Sequence, residues 1–280
     1  MHPILLTIGG KEIHFYQVFY PLSLLLGIFL TVRRAKKEGF SEEIALKAFI
    51  WTLFGVLVGS RLLDVIVNTG WYIEDPKRIF IANTGVVLYG GYLGAVAGSW
   101  GYLAYKRHPI LPMQDIASTY FGLGLLVHRS LACFMAGCCY GAPTDMPWGV
   151  VYPVGARAHK AFGEVPVHPT QLYEAFWGLL MFGVMVAYRD RKKNRFYGEL
   201  FALQLMFYGV GRFLIELVRG DAARGRYGFL TTSQWISVAL VTAAMILAII
   251  VRRRKALVSA GKLKRADVCE PPPLKAFSKR

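Results

Sequence analysis

Acidic residues are scarce in this chain. Seventeen Asp and Glu stand against 33 Lys and Arg, for a formal net charge of +16. In a soluble protein that excess points to nucleic acid. Here the basic residues fall in short runs between apolar stretches, so membrane topology accounts for them and nucleic-acid binding is not expected. Cysteine is also sparse, at Cys133, Cys138, Cys139 and Cys269. No pair stands at CxxC spacing and no His/Cys metal spacing occurs. Neither a disulfide framework nor a zinc site is indicated, and no metal or cofactor is expected. No internal repeat is evident, which disfavours a transporter built from inverted repeats. Nor is a cleavable leader expected: positive charge follows the first apolar stretch instead of preceding it, and no A-x-A-like site is evident.

What is abundant is apolar sequence. Hydrophobic residues make up 55% of the chain, above the roughly 45–50% of soluble domains. They gather in seven stretches: Phe15–Val32, Ala45–Val67, Gly85–Tyr105, Ile116–Tyr140, Leu172–Tyr188, Leu200–Val218 and Trp235–Val251. Each approaches the ~20 residues that span the hydrocarbon core as a helix. The expected fold is all-α, a polytopic integral membrane protein of seven transmembrane helices.

Orientation follows from the basic runs. Arg33, Arg34, Lys36 and Lys37 follow the first stretch, Lys106 and Arg107 the third, Arg189 to Arg195 the fifth, and Arg252 to Lys255 the seventh. The alternate loops carry fewer charges. Cytoplasmic enrichment in Lys and Arg then places the N-terminus outside and the C-terminus inside. The outer loop Gly141–Val167 holds four prolines and reads as irregular, shaping a site entrance. Residues 1–255 form one transmembrane domain. Residues 256–280 read as a basic, disordered cytoplasmic tail drawn to anionic lipid.

Arg61, Arg129 and Arg212 lie inside apolar stretches. An arginine at mid-helix in lipid costs roughly 2.5–3.5 kcal/mol on insertion scales, so such residues face a bundle interior and serve function. Their natural ligand in a membrane enzyme is a phosphate or carboxylate. Tyr208, Arg212 and Glu216 recur every four residues, with Arg219 seven beyond Arg212, so all four share one helix face. This is either a self-neutralising Arg212–Glu216 pair or an anion site whose arginine is oriented by the carboxylate. Arg61 and Asp64 pair at i,i+3 with the same two readings. Gly90, Gly91, Gly94 and Gly98 form a glycine face, for helix packing or as a smooth wall where lipid tails pass. Cys133, Cys138 and Cys139 read first as small buried hydrophobes, His128 as a base or a packing residue. Gln171 and Glu174 share a face at the start of the fifth stretch.

Taken in order, these pieces resemble the bacterial prolipoprotein diacylglyceryl transferase family, from about Ile13 to Val251. The matching residues are the Tyr16 region, Gly59-Ser-Arg61, Tyr89-Gly-Gly-Tyr-Leu-Gly94, Tyr140-Gly141-Ala-Pro-Thr144, His168-Pro-Thr-Gln-Leu-Tyr-Glu174, and Tyr208-Gly-Val-Gly-Arg212 through Glu216 and Arg219. The resemblance implies transfer of diacylglyceryl from phosphatidylglycerol to the lipobox cysteine of a prelipoprotein. A thioether forms and glycerol phosphate leaves. It also implies residence in the bacterial inner membrane among membrane lipids.

On this reading Arg212 is the first candidate for the phosphate site, with Tyr89 and Arg129 as further catalytic candidates. Tyr16, Arg61, Gly90, Gly91, Gly94, Gln171, Glu174, Tyr208, Glu216 and Arg219 contact substrate. There are three departures from the family pattern. Tyr89 stands where the family usually has His, and a tyrosine of ordinary pKa near 10 is a poor base at neutral pH. Cys133 and Cys138 occupy positions that are commonly Asn and Glu. The arginine of that stretch aligns with Arg129 only after a one-residue slip. The rival readings are a non-catalytic lipid-binding or transport protein and thiol redox chemistry at Cys138–Cys139.

Overall fold

A backbone in hydrocarbon must satisfy its own polar groups, and helices do so within one segment. In the computed structural model, which describes residues 4–77, 88–191, 195–221 and 226–263, helix dominates for that reason. The long helices are α1 (Phe15–Lys37), α2 (Glu42–Val67), α4 (Leu88–Tyr105), α5 (Ile110–Val127), α8 (Thr170–Arg191), α9 (Glu199–Glu216) and α10 (Thr232–Ser259). Short helices lie at α3 (Thr69–Glu74), α6 (Phe134–Ala136) and α7 (Arg157–Phe162). Among the described residues, α1, α2, α5 with its continuation to Ala136, α8 and α10 are long and apolar enough to cross a membrane. Large apolar side chains point outward, including Leu57 at 70% and Phe176 at 66% exposure. In water these faces would aggregate; in lipid they are the solvated side. The chain is a multi-pass helical membrane protein.

Boundaries differ from expectation at the ends. α10 continues to Ser259, so Arg252 to Lys255 form part of the helix and do not follow it. The start of the third apolar stretch, Lys192, Lys193, and the tail from 264, with Cys269, lie outside the described residues. Two small hairpins were not foreseen: β1 (Ile4–Ile8) with β2 (Lys11–His14), and β3 (Arg226–Tyr227) with β4 (Leu230–Thr231). Gly9 and Gly10 both have positive φ, 56° and 78°. A two-residue hairpin turn requires this, and the Gly-Gly pair was its legible signal. The loop from Gly141 to Val167 is more ordered than its prolines suggest. It holds α7 and packs Tyr152, Ala156, Ala158 and Val167 into a buried cluster.

The described residues divide into two compact units, 32–113 and 4–31 with 114–263. In the first, α2 and α4 meet through glycine. A Cβ on Gly94 would stand 1.9 Å from the Gly55 carbonyl oxygen, and one on Gly59 would stand 2.2 Å from that of Gly90. Backbones come that close only without side chains, and dispersion over the seam holds helices together where no hydrophobic effect acts between them. In the second unit α8, α9 and α10 pack side by side. Asp115, buried on α5, accepts from Gly198 N at 2.8 Å and from Phe201 N at 2.8 Å. Gly198 has no side chain to cap α9, so a carboxylate from another helix meets its orphan N–H groups and positive dipole end.

Candidate active site

The site begins where helix geometry changes. After α5 the backbone turns as a π segment over His128–Cys133, with Phe134 N donating to the Arg129 carbonyl five residues back. Such a turn holds one more residue than an α turn and is frequent at functional sites. It directs Arg129 inward, where its Nε lies 2.7 Å from Glu174 Oε2. The two atoms are close but not aligned as a hydrogen bond: among the described residues Arg129 Nε is buried without an aligned acceptor. Arg129 NH1 reaches Cys133 Sγ at 3.8 Å.

The chain then ends α6 at Gly137, whose φ of 61° is left-handed, and passes through Cys138 and Cys139. The start of α8 fastens this loop. Thr170 Oγ1 donates to the Cys139 carbonyl at 2.6 Å, and Gln171 Nε2 donates to the Cys138 carbonyl at 2.7 Å. Gln171 Oε1 accepts from Tyr152 OH at 3.0 Å. Burial pushes the Tyr152 hydroxyl well above the usual tyrosine range, so it stays a donor. Thr170 and Gln171 are fully buried. Their place in the sequence motif is thus explained by holding the cysteine loop. Gly141 completes the join: its N donates to His168 O at 2.9 Å, Ala142 N donates to Val218 O at 2.9 Å, and a Cβ on Gly141 would strike His168 at 2.4 Å.

Glu174, one turn into α8 and 3% exposed, is the centre. Its Oε1 accepts from Arg219 NH1 at 2.8 Å and from Arg212 NH1 at 3.2 Å. Arg212 also pairs with Glu216 Oε2 at 2.6 Å and donates to Ser233 Oγ at 3.2 Å. Arg219 grips Asp221 through Nε at 2.6 Å and NH2 at 3.1 Å, a bidentate fork. Glu216 accepts from Thr231 Oγ1 at 3.1 Å. Thr231 in turn caps α10 in a reciprocal box with Gln234. Three guanidinium groups and three carboxylates thus balance in charge, as a water-poor site demands. Gly211 lets Trp177 cross the face of α9: a Cβ there would lie 2.1 Å from Trp177 Nε1, which donates to Phe207 O. A small cavity between them is lined by Glu174, Trp177, Tyr208 and Arg212.

Of the other sequence candidates, Tyr16 lies on α1 in the same unit, 40% exposed, stacked on Tyr20 and edge-on to His128. Tyr208 packs edge-on to Phe121. In the other unit Arg61 lies 3.8 Å from Asp64 and over the Tyr72 ring, while Tyr72 OH and Asn68 Nδ2 donate to Asp64. Gly90 and Gly94 are engaged in the seam with α2, and Gly91 touches Val56 and Ser60. Tyr89 lies in the first turn of α4; its side chain is outside the described residues.

A family model of prolipoprotein diacylglyceryl transferase matches residues 3–250. The chain belongs to this family. The phosphatidylglycerol–prolipoprotein diacylglyceryl transferase of Clostridium tetani is 32% identical over 237 residues, covering 85% of this chain and 92% of the relative. The Finegoldia magna protein of the same name is 31% identical over 250 residues, covering 89% and 95%. That of Idiomarina loihiensis is 30% identical over 262 residues, covering 91% and 94%. Several side chains that build the site in this transferase were missed from sequence. Asp221, Thr231, Ser233 and Thr170 are among them. The Thr231-x-x-Gln234 spacing was a readable capping signal, and Arg219-x-Asp221 a readable pair. Asp115 gave no local signal, because the helix it caps starts 83 residues away.

Proposed function

We propose that this chain transfers the diacylglyceryl group of phosphatidylglycerol to the lipobox cysteine thiol of a prolipoprotein, in a bacterial inner membrane. The supporting observation is the convergence of Arg129, Arg212 and Arg219 on the single carboxylate of Glu174. The thiolate sulfur attacks the glyceryl carbon that bears the phosphate. A C–S bond forms, the C–O bond breaks, and glycerol phosphate departs with the electron pair. The thiol proton passes to solvent or to the leaving phosphate. Negative charge grows on the departing oxygen, and planar guanidinium donors stabilise it best when fixed beforehand.

Roles follow from the geometry. Arg212, held between Glu174 and Glu216, is the preorganised fork for the phosphodiester. Arg129, anchored by Glu174 at 2.7 Å, adds a second fixed positive charge beside the phosphodiester. Glu174 keeps three like charges together. We assign seven membrane spans with the N-terminus outside and the C-terminus inside, on the alternation of basic runs.

The test is direct. Purified protein in detergent is given phosphatidylglycerol and a lipobox peptide, and the peptide is weighed by mass spectrometry. A thioether-linked diacylglyceryl adduct is expected. Lipid and peptide binding with no adduct would instead make the chain a lipid-binding protein.

A further inference from the structure

Three thiols meet beside the guanidinium cluster. The sulfur atoms of Cys133, Cys138 and Cys139 all lie within 4.8 Å of one another, and the three cysteines are free. His128 Nε2 lies 3.4 Å from Cys133 Sγ. We propose that Cys133, Cys138, Cys139 and His128 form a binding site for a thiophilic divalent cation of the zinc class.

The distances suit that cation. Zinc–sulfur bonds of about 2.3 Å in a tetrahedron set sulfur atoms about 3.8 Å apart, and a zinc–nitrogen bond of about 2.0–2.1 Å sets nitrogen about 3.6 Å from sulfur. The histidine is at ligand separation from Cys133 and has still to approach Cys138 and Cys139, while the thiols need to draw in by about 1 Å or less. Packing as small hydrophobes does not account for the arrangement. Cys138 and Cys139 are only partly buried, and Cys139 adopts a left-handed backbone, φ 63°, which non-glycine residues rarely do.

The backbone is also held. The carbonyls of Cys138 and Cys139 are fixed by Gln171 and Thr170, so the loop presents its sulfurs without further ordering. The His128 ring is steadied by Tyr20 at 5.1 Å between ring centroids. Charge agrees as well. A divalent cation with three thiolates and a neutral imidazole carries one net negative charge. Arg129 stands beside it: its NH1 lies 3.8 Å from Cys133 Sγ while its Nε faces Glu174, so its guanidinium bridges the two clusters.

Cobalt(II) reports such a site through thiolate-to-metal charge transfer in the near ultraviolet and visible bands of tetrahedral geometry. The experiment uses the reduced full chain in detergent, carrying Cys269→Ser so that three thiols remain. One cobalt per chain with both bands, displaced by zinc, is expected. Cys133→Ser, Cys138→Ser and Cys139→Ser should each weaken zinc binding about tenfold or more, a loss that even outer-shell changes produce. His128→Ala should shift the visible bands and keep the charge-transfer band. No charge-transfer band in the wild-type site, or equal metal binding after all three serine substitutions, overturns the proposal. A readout on unaltered ligands guards against misfolding: zinc should protect three thiols from alkylation, and unchanged labelling rates overturn it equally.

Discussion

The two compact units each hold an arginine beside a buried carboxylate, and they are built on different principles. In the unit of residues 32–113, Arg61 and Asp64 stand one turn apart on α2 at 3.8 Å, with Tyr72 and Asn68 from the next few residues closing around the carboxylate. These contacts are local in sequence, and the Arg61–Asp64 pair offsets its own charge. In the other unit Glu174 gathers guanidinium groups from the π segment, from α9 and from the turn after α9. No single helix could assemble it. A local pair makes a charge tolerable in lipid. A shared carboxylate drawn from distant segments fixes several cations in one geometry, which is what a reacting phosphate needs.

The hardest test of that contrast is Glu174→Gln. It leaves three buried guanidinium groups with two carboxylates, and removing one partner of a buried pair costs about 3–5 kcal/mol. Thermal unfolding in detergent should show a large drop, and an unchanged transition would mean that Glu174 is not the organising centre. Next comes Arg212→Lys. The charge stays but the planar fork is lost, so turnover should fall on the order of 10²–10³ with much smaller change in unfolding temperature. Near-normal transfer to the lipobox peptide removes Arg212 from the mechanism.

The glycine seam sharpens the other side of the comparison. Gly94→Ala places a methyl 1.9 Å from the Gly55 carbonyl, and overpacking of that kind costs about 1–3 kcal/mol. Gly27→Ala, with nothing within 4 Å, serves as its control and should be neutral or slightly stabilising. Equal effects from the two would remove the seam from the account. The smallest change is expected for Arg61→Lys, which keeps the pair with Asp64 and loses stacking on Tyr72 worth about 0.5–1 kcal/mol. If it reduced transfer as much as Arg212→Lys does, the local pair would belong to the chemistry and the contrast would fail.

Much of the membrane architecture was legible beforehand. Apolar length depends on composition along a few turns, and lipid reads it in the same way. The shared face of Arg212 and Glu216 followed from helical period alone, whereas Arg219, expected on the same face, lies beyond the end of α9 in a bridge to Gly141 and reaches Glu174 from there. Glycine at Gly90 and Gly94 announced close contact, though not its partner α2. The one-residue slip at Arg129 was visible as a mismatch. The π turn over His128–Cys133 was not, because apolar periodicity does not register a change of hydrogen-bond step.

Sequence by itself determined that the chain is a multi-pass helical membrane protein with rare buried arginines. Only the tertiary structure decided that Glu174 is common to three of them, that Gln171 and Thr170 clasp the cysteine loop, and that three thiols with no metal spacing meet at one point. Hydropathy and helical period are properties of neighbours along the chain. The contacts of Glu174, Gln171 and Thr170 join residues 31 to 45 positions apart, and such meetings depend on how helices pack, where glycine admits close approach and where one buried charge must find another.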